Sequence, residues 1–186
     1  MRIISGTLKG KSIYFIRNFH TRPLKDSVRE NIFNILKHSN LINISIQKAN
    51  ILDLYSGVGS FGIECISRGA EKVTFVENDK NAINILEKNL INLSIIKKAN
   101  LFYDTVENFF KKNRGEKYDI FFFDPPFIDK NFFLNLHYIK KNNMFKKNHI
   151  LIIHREKKSK DDFDHLIEFI KTRNYGRSKI IFGLFK

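Results

Sequence analysis

The chain has 186 residues, 42% hydrophobic and 28% charged, which predicts one globular domain of ordinary size and excludes wholesale disorder. Thirty-three Lys and Arg against 19 Asp and Glu leave a net charge of +14, as expected of a protein that meets a polyanion. The longest purely apolar stretches, such as 120–123 and 150–153, are too short to span a membrane, and no signal-like apolar run follows Met1. The single cysteine, Cys65, can form neither an internal disulfide nor a thiolate metal cluster, and a soluble, cytoplasmic protein is predicted.

Residues 1–25 carry Arg2, Lys9, Lys11, Arg17, Arg22 and Lys25 with no acid. A second basic cluster joins Lys140, Lys141, Lys146 and Lys147 to Arg155, Lys157, Lys158 and Lys160. Ile, Asn, Phe and Lys are abundant throughout, so part of the lysine excess is compositional, but its segregation favours a polyanion partner. The N-terminal arm reads as a hairpin, Arg2 to Ser5 and Ser12 to Ile16, punctuated by Gly6 and Gly10. Ser27 and Glu30 have capping-box spacing, and Val28, Ile32, Ile35 and Leu36 continue a helix to about His38.

Beyond residue 50 strands and helices alternate. Ile51–Tyr55, Val73–Glu77, Ala99–Tyr103, Tyr118–Phe123 and Ile150–His154 read as strands; Phe61–Arg68, Ala82–Leu90, a helix capped by Asp104, and Phe132–Ile139 lie between them. This alternation predicts an α/β, doubly wound and mostly parallel sheet with helices on both faces. Lys179–Phe185 is a last strand, whereas the pattern of residues 163–174 fits a helix and a strand equally. The organisation is a basic arm at 1–25, a helix at 26–38 and a Rossmann-like core at 50–186.

Acidic or glycine-rich positions close four strands in this core. Gly57-x-Gly59-x-x-Gly62 turns a strand into a helix and matches a dinucleotide fingerprint; alone it serves NAD, S-adenosylmethionine or no ligand. Asp53, four residues earlier, would repel a pyrophosphate and attract the ammonium of a methionine moiety. Glu77, 20 residues after Gly57, is placed to accept ribose hydroxyls, and Asp104 to meet an adenine amine or simply to cap a helix. Asp124-Pro125-Pro126-Phe127 ends the central strand, where open α/β sheets bind ligands. The prolines freeze the turn, so that Asp124 and the Pro125 carbonyl can accept two N–H bonds from an exocyclic amine while Phe127 stacks on the base. The six histidines show no metal-ligand spacing, and no metal is expected.

Asp53, Gly57-x-Gly59, Glu77 and Asp124-Pro125-Pro126-Phe127 resemble the motifs of class I S-adenosylmethionine-dependent methyltransferases of exocyclic amines. Arg2-Ile3-Ile4-Ser5-Gly6, Lys9-Gly10-Lys11, Arg22-Pro23-x-x-Asp26-x-Val28-Arg29-Glu30-x-x-Phe33-Asn34 and Tyr175-Gly176 narrow this. They are similar to the bacterial small-subunit ribosomal RNA guanine-N2 methyltransferases of the RsmD type; Leu24 stands where that family usually has Thr. The resemblance implies methylation of guanine 966 of 16S RNA during subunit assembly, by a monomer acting on RNA or on the assembling 30S particle. It implies an antiparallel C-terminal strand, with residues from about Leu166 pairing to the last strand. It also implies a cofactor site of Asp53, Ser56, Gly57, Gly59, Phe61, Glu77, Asn78, Asp104, Thr105 and Asp124, and RNA contacts from Arg2, Lys9, Lys11, Arg22 and Arg29. An adenine-N6 DNA methyltransferase would use a closely similar tetrapeptide. An NAD-dependent dehydrogenase would leave Asp53 and the Pro-Pro turn unexplained, and a non-enzymatic assembly factor would not need Asp124.

Overall fold

A computed structural model of the chain describes residues 1–15, 24–113, 115–129, 131–163 and 165–186. Its strands are β1 (Asn50–Leu54), β2 (Lys72–Glu77), β3 (Ala99–Tyr103), β4 (Tyr118–Phe123), β5 (Phe145–Glu156), β6 (Ile167–Tyr175) and β7 (Ser178–Phe185). The α-helices are α1 (Asp26–His38), α2 (Ser60–Ser67), α3 (Lys80–Asn92), α4 (Val106–Lys112) and α5 (Phe132–Lys141). The sheet order is β3-β2-β1-β4-β5-β7-β6, parallel from β1 to β5, with β7 antiparallel to both β5 and β6. The doubly wound sheet read from the sequence is therefore present, and the ambiguous tail is a strand.

Strand periodicity assigns each residue to a face. Ile51, Phe75, Phe122 and Ile152 pack with α1, α2 and α3, while Leu52, Leu54, Phe121, Phe123 and Ile153 pack with α4 and α5. Burial on both sides explains the near-continuous apolar runs of β1, β4 and β5. Chain order reverses between β1 and β4, which are neighbours in the sheet, and the crevice beyond their carboxyl ends is where such sheets bind ligands.

The N-terminal arm is docked onto this core. Among the described residues its expected hairpin reduces to one antiparallel bridge, Arg2 to Ser12, flanked by Ile3 N–H donating to Lys11 O at 2.9 Å and Ile13 N–H to Met1 O at 2.9 Å. Ile16, Arg17 and Arg22 lie outside the described residues. Ile3 and Ile13 are buried, and the Glu64 carboxylate of α2 accepts from the N–H groups of Ile4 (2.8 Å) and Ser5 (2.9 Å). Asn89 of α3 accepts from Tyr14 N–H at 2.7 Å. Gly6, at φ 86°, lies so close to α2 that a Cβ would sit 1.9 Å from the Ser67 carbonyl oxygen.

Three local expectations are corrected. The Ser27–Glu30 capping box does not form: α1 starts at Asp26, with Lys25 as N-cap and no side-chain cap bond, so Ser27 already lies inside the helix. The cap of α4 is Thr105, whose Oγ1 accepts from Asn108 N–H at 3.2 Å, while Asp104 pairs with Lys112 at 2.6 Å. Arg155, counted in the second basic cluster, is 3% exposed and belongs to the interior.

Candidate active site

The loops after β1, β2 and β4 enclose a cavity of about 900 Å³ at the switch point of the sheet. Its wall includes Ser56, Gly57, Glu77 and Asn78 on one side and Asp124, Pro125, Pro126 and Phe127 on the other. Leu24, Lys25, Ser27 and Val28 at the start of α1, and Tyr175-Gly176-Arg177-Ser178 at the β6–β7 turn, complete the rim.

The glycine-loop side is held by the turn's backbone, by the Glu77 side chain and by a link to α5. The chain leaves β1 through Tyr55 at φ 59°, a left-handed conformation that costs a side-chain-bearing residue roughly 1–2 kcal/mol. The Tyr55 hydroxyl, accepting from Asn135 at 2.9 Å, fixes this turn against α5, and burial pushes the phenol well above its ordinary range. At Gly57 (φ 54°) nothing lies within 4 Å of the position a Cβ would take, so the backbone faces open cavity. Gly59 is glycine for another reason: at φ 81° its Cβ would meet the Leu86 side chain at 2.3 Å. Glu77 stitches the loop together, with Oε2 accepting from Gly57 N–H at 2.7 Å and Oε1 from the N–H groups of Asn78 (2.9 Å) and Asp79 (2.8 Å). Of roughly four acceptor sites on a carboxylate, three are thus used, and capacity for a ribose hydroxyl remains chiefly on Oε2.

The opposite wall is held by side chains from distant sequence. Parallel pairing aligns Phe122 with Ile152 and Phe123 with Ile153, so the next pair outward is Asp124 and His154. His154 Nδ1 lies 2.7 Å from Asp124 Oδ1. The ring of Phe127 meets His154 edge-on at 5.6 Å and is 39% exposed, free to receive a flat ligand. Behind the corner, Arg155 donates to the carbonyls of Pro126 (3.4 Å) and Phe127 (3.3 Å) and stacks over Phe132. Asp161 anchors that guanidinium through contacts of 3.1 and 3.2 Å. Burial would raise the Asp161 carboxyl, but hydrogen bonds from Arg155 and Ser159 and the charges of Arg155 and Lys179 outweigh it and hold it below its ordinary value.

Several expected residues stand elsewhere. Asp53 is 1% exposed behind the glycine loop; Oδ2 accepts from Gly62 N–H at 3.0 Å, and Oδ1 is buried with no partner among the described residues. Burial drives its carboxyl well above the ordinary range. Gly59 and Phe61 are not wall residues either: Phe61 stacks in the core between Phe33 and Phe122. Asp104 and Thr105 are likewise absent from the wall, engaged with Lys112 and Asn108. Arg29 is corrected from an RNA contact to a strut: helical spacing puts it on the buried face with Ile32 and Phe33. There its guanidinium donates to Arg2 O (2.6 Å) and Asp26 (3.0 Å), and burial lowers its pKa. Arg2, Lys9 and Lys11 are exposed on the arm.

Sequence reasoning missed His154, Arg155, Asp161 and the α1 rim. The available signal was the register of two adjacent apolar strands, which makes Asp124 and His154 neighbours.

The chain is similar to known methyltransferases. A sequence model of the family described as "Conserved hypothetical protein 95" matches residues 1–184. The chain is 36% identical over 156 residues to the ribosomal RNA small subunit methyltransferase D of Buchnera aphidicola, covering 84% of this chain and 76% of that protein. A proposed methylase of Haemophilus influenzae superposes with a TM-score of 0.77 at 28% identity, covering 98% of this chain and 96% of that one. A proposed methyltransferase of Escherichia coli does so with a TM-score of 0.84 at 24% identity, covering 98% and 96%. With its class I methyltransferase fold, the chain belongs to the Conserved hypothetical protein 95 family, that of the ribosomal RNA small subunit methyltransferase D (RsmD) proteins.

Proposed function

We propose that the protein methylates the exocyclic N2 amine of a guanine in small-subunit ribosomal RNA, with S-adenosylmethionine as donor. One observation carries this reading: a single cavity joins the Gly57 loop and Glu77 to the Asp124-Pro125-Pro126-Phe127 corner. The donor set fits the cofactor. Glu77 keeps an acceptor for a ribose hydroxyl, and the open space over Gly57 allows close approach of a ligand to backbone. Bound there, S-adenosylmethionine would supply an electrophilic methyl group.

The remaining chemistry belongs to this chain. A guanine N2 lone pair is delocalised into the ring and is a weak nucleophile. Asp124 Oδ2 and the Pro125 carbonyl, which takes no hydrogen bond from the described residues, would accept the two amine protons and direct the lone pair. Orientation of this kind supplies up to roughly 7–11 kcal/mol of a barrier. Phe127 would stack on the base, and Asp124 would take the proton released as the new N–C bond forms. Arg2, Lys9 and Lys11 on the arm would grip the surrounding phosphates.

The names of the RNA-acting relatives support a small-subunit ribosomal RNA substrate; in this reading the target is position 966, in free RNA or an assembling subunit, and the enzyme is monomeric and cytoplasmic. Unmethylated 16S RNA incubated with protein and methyl-labelled donor, then digested and weighed, should yield N2-methylguanosine. Label in N6-methyladenine of DNA would transfer the same corner to a different base.

A further inference from the structure

We propose that His154 is a positioning residue for Asp124: its Nδ1–H pins one carboxylate oxygen and so leaves the other aimed at the substrate amine. The inference rests on the reading of Asp124 as the amine acceptor and deepens it.

The register of β4 and β5 brings the two residues together at 2.7 Å, with the imidazole 10% and the carboxylate 26% exposed. Nε2 of the same ring is buried and has no partner among the described residues. A buried N–H without an acceptor is rarer than a buried lone pair without a donor. Nδ1 therefore carries the proton of this contact and donates to Oδ1. Oδ2 is left as the acceptor that can turn to a ligand.

His149 on the same strand supplies the contrast. Its Nδ1 meets Lys146 O at 2.9 Å and its Nε2 accepts from Phe185 N–H at 2.9 Å, so both ring nitrogens serve the fold. His154 spends its one donor on Asp124 and gives nothing to the backbone. Its position extends the apolar run Ile150–Ile153 and pairs with Ile180. The ring also backs Phe127 edge-on, so one side chain braces both the acceptor and the stacking group. Held by His154, the carboxylate keeps one rotation about its Cβ–Cγ bond instead of sampling several.

The test is His154→Phe, which keeps a ring against Phe127 and removes the donor, beside His154→Asn, whose amide N–H falls near the position of Nδ1. With intact folding checked by thermal melting, His154→Phe should lower kcat about 10- to 100-fold. Its affinity for S-adenosylhomocysteine and its KM for 16S RNA should be unchanged, and His154→Asn should recover most of kcat. Wild-type kcat in His154→Phe, or an Asn variant as slow as Phe, would overturn the inference. Should neither variant fold, long-range 1H–15N spectra of the wild-type chain decide: a proton on Nδ1 and none on Nε2 supports it, the reverse tautomer sinks it. Failure of the wild-type chain itself to make N2-methylguanosine is a separate result and overturns the underlying reading.

Discussion

The two walls of the cavity are held in different ways. The glycine-loop wall is held mainly through its backbone: Glu77 binds the N–H groups of residues 57, 78 and 79, Gly57 faces open cavity, and Gly59 makes room for Leu86 of α3. The Asp124 wall hangs on side chains that arrive some 30 residues later, His154 on the carboxylate and Arg155 on the carbonyls of Pro126 and Phe127. The first wall is mainly turn backbone and one carboxylate, a setting that in the proposed reading suits an invariant cofactor. The second is long-range scaffolding for a corner that, in the proposed reading, must hold its shape while a base enters and leaves.

Substitutions can break that contrast, and the largest effect is expected at the corner itself. Asp124→Ala should cut single-turnover methyl transfer by roughly 10²–10⁴-fold while calorimetry finds S-adenosylhomocysteine bound as before. An equal loss of cofactor affinity would show the two walls to be one unit. Next is the scaffold behind the corner. Arg155→Met leaves the Asp161 carboxylate, whose side chain is 7% exposed, with the Ser159 hydroxyl and the Lys179 charge alone, and unfolding titrations should show a loss of about 1–3 kcal/mol. Asp161 has its carboxyl held down in the folded state, so its contribution is complete above the unfolded value near ~3.9 and fades as pH falls through the lower folded value. Wild-type stability should accordingly fall in strong acid more steeply than that of Asp161→Asn.

On the other wall, Glu77→Gln should weaken S-adenosylhomocysteine binding about 10- to 100-fold, the scale of one charge-assisted hydrogen bond, with the fold retained. The smallest effect belongs to the arm. Lys9→Gln with Lys11→Gln should leave kcat intact and flatten the slope of log RNA affinity against log salt by roughly 1.4–1.8. An unchanged slope would remove both lysines from the interface.

This asymmetry also governs what the sequence reveals. The switch point, the glycine loop, Glu77 and the proline corner are legible because strand periodicity and turn chemistry are local signals. Asp53 is less legible because a strand-end acid looks the same whether it faces a ligand or the backbone N–H of the next helix; the packing of α2 shows Oδ2 serving Gly62. Arg29 misled in the same way, since charge suggests RNA while helical phase puts it inside, braced against Arg2 O and Asp26. His154 and Arg155 could be found only from the β4–β5 register, which no local pattern states. Residues 163–174 kept both periods until pairing with β7 chose the strand for 167–175.

The central claim is that the proline corner presents two acceptors and a ring face to a guanine amine across from the methyl donor. A crystal structure of the protein with S-adenosylhomocysteine and an RNA fragment carrying the target guanine tests it most directly. The account predicts N2 within hydrogen-bond reach of Asp124 Oδ2 and Pro125 O, Phe127 against the base, and the cofactor sulfur beyond N2 on the side of Gly57. A base seated away from that corner, or an amine turned from the sulfur, would contradict it.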